Sequence, residues 1–141
     1  MLPKELKPAG LYNLLRLGKN NDGGYLICKN NINQSDCLIS FGISNDFSFE
    51  KKFKELNNIK IFAYDPTVTN NFFFKEFIML FFKFNFISLF KSIKNYINFR
   101  KFFNSKNNKL FLKKIGKGES VYLEHIPFNE IIKNCEEYKN I

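Results

Sequence analysis

The chain has 141 residues, enough for one ordinary domain and too few for two. An apolar fraction of 45% and an aromatic fraction of 18% can build a packed core and exclude a disordered chain. The net charge of +9 is unevenly placed, with eleven Lys or Arg between Lys75 and Lys117 against one acid, Glu76.

Residues 1–35 carry turn signals rather than long periodic runs. Pro3, Pro8 and Gly10 come first, and the opening MLPKELKPAG lacks the apolar stretch of a secretory leader. The cluster Gly18-Lys19-Asn20-Asn21-Asp22-Gly23-Gly24 predicts a turn, with Gly23 and Gly24 supplying positive φ, and Tyr25–Cys28 a short strand after it. From Asp36 onward strands and helices alternate. Cys37–Phe41 is a short apolar run of the kind a buried parallel strand shows, and Gly42–Asp46 is its loop. Ser48 is the expected N-cap of a helix over 49–56, with Phe49, Phe53 and Leu56 on its apolar side and Glu50 largely elsewhere. Lys60–Tyr64 reads as a second buried strand, ended by Asp65-Pro66.

Residues 70–103 are rich in Phe, but Lys75, Glu76 and Lys83 leave no uncharged apolar run of the ~18 residues a membrane span needs. One long helix or two are expected there, with a break at Asn85, used either for core packing or as a membrane-surface helix. The basic excess over this region serves either as a solvated face or to contact acidic lipid, glycan phosphate or nucleic acid; composition does not rank these, and nucleic acid is not the expected partner. Leu110–Ile115 is a third strand closed by Gly116-Lys117-Gly118, Val121–Leu123 a further short strand, and 127–138 a helix with Phe128, Ile131, Ile132 and Cys135 at helical spacing. Cys28, Cys37 and Cys135 show no metal-type spacing and His125 is the single histidine, so neither a metal site nor a disulfide framework is expected. The expected compartment is reducing and cytoplasmic.

The resulting order is strand, glycine loop, helix, strand, acid, helix, strand, helix. It is the first half of a doubly wound, Rossmann-like α/β domain over residues 36–141, preceded by a leading segment over 1–35. Such sheets bind ligands beyond the carboxyl ends of their strands. Gly42 suits the close backbone approach of a nucleotide-like ligand, and Asp65 lies 23 residues later, near the ~20 of dinucleotide sites. One Gly and one Asp also arise from turn geometry alone.

Three segments, RLGKNNDGGYLI, LISFGISNDFSFE and IFAYDPT, resemble the FkbM-type methyltransferase family densely over residues 16–67 and more thinly through LFLKKIGKG and VYLEHIPFNEII. The resemblance implies a class I methyltransferase sheet, S-adenosylmethionine as cofactor, and O-methyl transfer to a sugar or other small surface-glycan acceptor. It would set Gly42, Ile43 and Ser44 against the cofactor's methionine part and Asp65 on its ribose. Glu50 would lie near the methionine end or on a solvated helix face. Ser44 stands where the family has a second glycine, and the acidic Asp-x-Glu-Gly motif of the family's fourth strand is absent. On that reading the chain ends before the fourth strand, leaving Leu38, Ile39 and Phe41 as an apolar edge and favouring self-association or a complementary fragment. No catalytic residue follows from the sequence; His125, the only histidine, lies beside Ile126 and Pro127 and is read as a surface or satisfied residue rather than as a base. Two other classes compete, a non-catalytic partner-binding remnant and a basic peripheral module acting through residues 70–103.

Overall fold

The computed structural model describes residues 10–20, 23–116 and 124–138. Asp22, the strand expected at Val121–Leu123, the closing Lys117-Gly118 and the prolines at 3 and 8 lie outside the described residues.

The chain is mixed α/β. Strand β1 (Leu14–Leu17) pairs antiparallel with β2 (Tyr25–Cys28), Leu17 opposite Tyr25, and helix α1 (Lys29–Gln34) follows. A parallel sheet is then built from β3 (Cys37–Phe41), β4 (Lys60–Tyr64) and β5 (Asn108–Phe111) in the spatial order β3-β4-β5. The crossovers are α2 (Ser48–Leu56) and the helical pair α3 (Asn70–Phe82) and α4 (Phe86–Phe103). Strands β6 (Lys114–Ile115) and β7 (His125–Ile126) form a short parallel ladder leading into α5 (Phe128–Lys133).

Because β4 is flanked on both sides, it reads as a continuous apolar run, and Ile61, Phe62, Ala63 and Tyr64 are all buried. Alternation sends them to opposite faces. Ala63 packs with Phe47, Phe73, Phe99 and Phe103 beneath the α3–α4 pair, while Phe62 and Tyr64 pack with Cys37, Ile126, Ile131 and Cys135 beneath α5. A third cluster of Leu17, Ile32, Phe53 and Ile59 fastens the β1–β2 hairpin and α1 to α2. Both faces of the sheet are thus covered, as in a partial Rossmann-like arrangement. Strand β3 has β4 as its one sheet neighbour among the described residues; Leu38 and Ile39 are half-buried and Phe41 is exposed.

Several expectations need correction. The strand expected over 110–115 is two strands: once β4 ends at Tyr64 the chain leaves it after Phe111, and Lys114 N donates to Glu124 O instead (2.8 Å). Ser48 is the first residue of α2 rather than its N-cap, because Asp46 Oδ1 takes the Ser48 N–H (3.1 Å). Glu50 is turned toward the sheet and Leu56 away from it, so the apolar side of α2 is centred on Phe53. The break at Asn85 is present: Phe84 adopts a left-handed φ of 51°, and Asn85 Oδ1 caps α4 by accepting from Ser88 N (3.1 Å). The helix expected over 127–138 is regular to Lys133 and continues as turns.

Candidate functional site

The β3–β4 register pairs Phe41 with Tyr64, an offset of 23 residues that holds along the whole ladder. The next residues, Gly42 and Asp65, therefore stand abreast where the two strands end, and Gly42 N donates to Tyr64 O (3.0 Å). Gly42 has φ +66°, a conformation that an L side chain rarely adopts, and no atom lies within 4 Å of where a Cβ would sit. Glycine is favoured there by backbone conformation, and the space above it is open. Ser44 has φ +52°, a left-handed backbone state that glycine adopts more readily than serine. That turn points its N–H at Asp65 Oδ2 (2.8 Å). The other oxygen, Oδ1, accepts from Thr67 N (2.7 Å) and Thr67 Oγ1 (2.6 Å). Asp65, 3% exposed, thus braces the glycine turn against the loop after β4.

A cavity of about 510 Å³ opens beside this turn, at the carboxyl end of β3. Gly42, Ile43, Ser44 and Glu50 border it, with Ser40, Phe41, Asp46, Phe49, Tyr25 and Lys19. Asp65 lies behind the turn and outside the lining. Ile43 is buried and belongs to the cluster with Phe47, Val68 and Phe73.

Glu50 is the most unusual member. At 3% exposed it is one of the few buried charged residues, and Ser40 Oγ donates to its Oε1. Its Oε2 has no hydrogen-bond partner among the described residues. Burial pushes its carboxyl above the ordinary range, Asp46 adds to this, and the Ser40 hydrogen bond opposes it. A buried carboxylate oxygen without a donor is costly, which makes this position receptive to a ligand that brings one.

The hairpin supplies the opposite wall. Lys19 N donates to Ser48 Oγ (3.0 Å), Ser48 Oγ donates to Gly23 O (3.4 Å), and Lys19 Nζ pairs with Asp46 (3.1 Å). Burial alone would raise the Asp46 carboxyl, but its hydrogen bonding to Ser48 and the Lys19 ammonium outweigh it and hold it low. A Cβ on Gly23 would sit 2.2 Å from Asp46 Oδ2, so a larger residue there would have to push the Asp46 carboxylate aside. Neither Gly23 nor Gly24 is among the positive-φ residues; in that turn Gly18 is, at +89°. Lys19, Tyr25 and Asp46 were not singled out from sequence, although the turn and loop carrying them were. Tyr25 meets Phe49 edge-on at 5.4 Å and gives the cavity an aromatic side.

His125 lies in β7, opposite Lys114, and is not among the cavity residues. Cys37 and Cys135 are buried together; burial and then the neighbouring Cys135 push the Cys37 thiol up to about 12. Among the described residues no helix is long and apolar enough to cross a membrane. No family model matches the chain, and no curated protein or solved structure matches it.

Proposed function

We propose that this chain is a class I methyltransferase-type domain of the FkbM kind that binds S-adenosylmethionine in the cavity between the Gly42 turn and the β1–β2 hairpin. The observation that carries the reading is the buried Glu50, with one carboxylate oxygen lacking a donor, beside an open glycine turn at the end of a parallel strand. An α-amino acid end fits that chemistry. Its ammonium supplies the donors Glu50 lacks, its carboxylate meets Lys19 or the backbone of the turn, and Tyr25, Phe41 and Phe49 offer apolar surface to the rest. Asp65 would hold the ribose by exchanging part of its bonding to Ser44 and Thr67, a rearrangement within one short loop.

The cofactor supplies an activated methyl group on sulfonium. The residues of the chain then bind, orient and exclude water, since in-line positioning accounts for most of the catalysis such a transfer needs. The acceptor on this reading is a hydroxyl of a sugar or another small glycan component.

The test is calorimetric titration with S-adenosylhomocysteine of the wild-type chain, Glu50→Gln and Gly42→Val. Saturable binding to wild type, weakened about tenfold or more in both variants, is the expected result. Absence of binding to a folded wild-type chain would overturn the reading.

A further inference from the structure

The α3–α4 pair is built differently at its two ends. Toward the sheet, Phe73, Phe99 and Phe103 are buried, and Tyr96 packs on Phe73 (4.9 Å) and Phe77 (5.9 Å). From Ile78 to Phe90 no residue is buried. Ile78, Phe81, Phe82, Phe84, Ile87 and Phe90 are 55–80% exposed, far beyond the scattered single apolar residues of an ordinary surface. At 1.5 Å per residue, Phe86 lies about 20 Å along α4 from Phe99, and Phe82 about 14 Å along α3 from Phe73. The pair therefore carries its apolar end well away from its last buried residues.

The apex is shaped as well as apolar. Phe84 holds a left-handed backbone, a conformation costly for a bulky residue, and is 80% exposed there. Its ring contacts Phe86 (6.3 Å), which contacts Phe81 (6.1 Å), so the exposed rings form one cluster. Around them Lys83, Lys91 and Lys94 are exposed, and Glu76 is the sole acid in either helix.

This combination selects its occupant by charge. Two copies meeting tip to tip would bring their lysines together with no facing carboxylate, a repulsive arrangement. A bilayer with acidic lipids presents phosphates and carboxylates at its surface and hydrocarbon beneath, complementary to both parts of the tip. Helix α3, at 13 residues, spans about 20 Å against the ~30 Å of a bilayer core, and α4 carries Lys91, Lys94, Arg100 and Lys101, so the tip dips in and does not cross.

We propose that the Ile78–Phe90 end of the α3–α4 hairpin docks on an anionic membrane surface. Phe82, Phe84, Ile87 and Phe90 enter the boundary between headgroups and acyl chains, and Lys83, Lys91 and Lys94 meet the acidic headgroups. This is independent of the cofactor reading. It does connect to the cavity, because Asn95 Nδ2 on α4 donates to Asn45 O in the glycine loop (2.8 Å). A docked α4 therefore holds that loop at a fixed distance from the lipid.

The chain has no tryptophan, so Phe84→Trp places a single reporter at the apex. The experiment is sedimentation and fluorescence with vesicles of phosphatidylcholine alone and of phosphatidylcholine with about one third phosphatidylserine. The full chain is expected to bind the acidic vesicles about tenfold more tightly, with salt weakening the binding and the Trp emission shifting to the blue. The exposed pair Phe82→Ser/Phe84→Ser and the pair Lys83→Glu/Lys91→Glu should each lower that binding about tenfold while leaving the circular-dichroism melt unchanged. The proposal is overturned by no binding to acidic vesicles, by equal binding of the Ser pair and wild type, or by an unshifted Trp. It is equally overturned if the Ser pair abolishes a dimer seen by sedimentation velocity without affecting lipid binding, which would assign the tip to a second copy.

Discussion

Replacing Glu50 by Gln keeps the side-chain volume and removes the charge from beside the cavity. In the folded chain Oε1 is hydrogen-bonded to Ser40 and Oε2 has no donor among the described residues. A neutral buried group left unpaired costs about 1–3 kcal/mol and a charged one more, so ionised Glu50 destabilises the ligand-free fold. Its carboxyl is raised from the ordinary 4.5 by burial, with Asp46 adding and Ser40 opposing. A group that holds its proton more tightly in the folded state contributes stability that is fully present below its unfolded value. That contribution is lost as pH rises through the raised folded value. Wild type should therefore lose this part of its stability as pH rises above about 4.5 and through the raised folded value, while Glu50→Gln lacks the dependence. The variant should match wild type near pH 4 and exceed it by about 1–2 kcal/mol near pH 8, roughly 2–6 °C in Tm. Thermal denaturation of both chains across that range, at constant ionic strength, reads the difference. Parallel curves, or a variant less stable near pH 8, would refute the reasoning. S-adenosylhomocysteine should reverse the order by stabilising wild type more than the variant, because its ammonium favours the ionised carboxylate.

Three further outcomes follow from the same geometry. Asp65→Ala removes the acceptor of three hydrogen bonds and should lower stability by about 2–4 kcal/mol by denaturant unfolding, together with weaker S-adenosylhomocysteine binding; a melt unchanged from wild type would show that the brace does not operate. Ser44→Gly relieves a left-handed serine and should be neutral to stabilising by up to about 1 kcal/mol, whereas Ser44→Val, β-branched at the same φ, should be destabilising in the same chemical-denaturation assay. With a thiol reagent at mildly alkaline pH, Cys28 should react at least about tenfold faster than Cys37 and Cys135, which are buried with raised thiol pKa values; mass-spectrometric mapping of the labelled thiols checks this.

The parallel sheet was legible because its signals are local. Cys37–Phe41 and Lys60–Tyr64 are short apolar runs bounded by turn residues, and their limits match the structure residue for residue. The break in the Phe-rich region was legible in Asn85, a residue suited to capping. The third strand was legible in kind but not in extent, because its end is set by where β4 stops offering partners, a tertiary fact absent from the run Leu110–Ile115. The role of Gly23 was hidden for the same reason. A glycine in a turn suggests positive φ, and nothing in the local sequence announces that Asp46 lies against it. Glu50 was named only through the resemblance, with a solvated helix face as the equal alternative. Among Lys51, Lys52, Lys54 and Glu55 it looks like one more solvated charge, and only docking α2 over Ser40 distinguishes it.

Gly42 and Asp65 are separated by 23 residues, and the β3–β4 register has that same offset throughout. In a parallel pair whose register offset equals that spacing, the residues that follow the two strands stand abreast, whatever lies beyond them. The spacing therefore reports topology, and the Ser44–Asp65–Thr67 hydrogen bonds give Asp65 a structural task that is complete without a ligand. Glu50 is different in kind. A helix face packed on a sheet is satisfied by apolar side chains such as Phe53, one turn later on α2, and a carboxylate in that layer carries a desolvation cost that the described residues only half offset. The structural tasks around it, capping α2 and clamping the hairpin, belong to Asp46, Ser48 and Lys19. For Glu50, a donor that enters the cavity from outside would remove that cost. Its pH-dependent cost without ligand, and the removal of that cost by an ammonium-bearing ligand, therefore discriminate a binding site from a strand-end turn better than any substitution at Gly42 or Asp65.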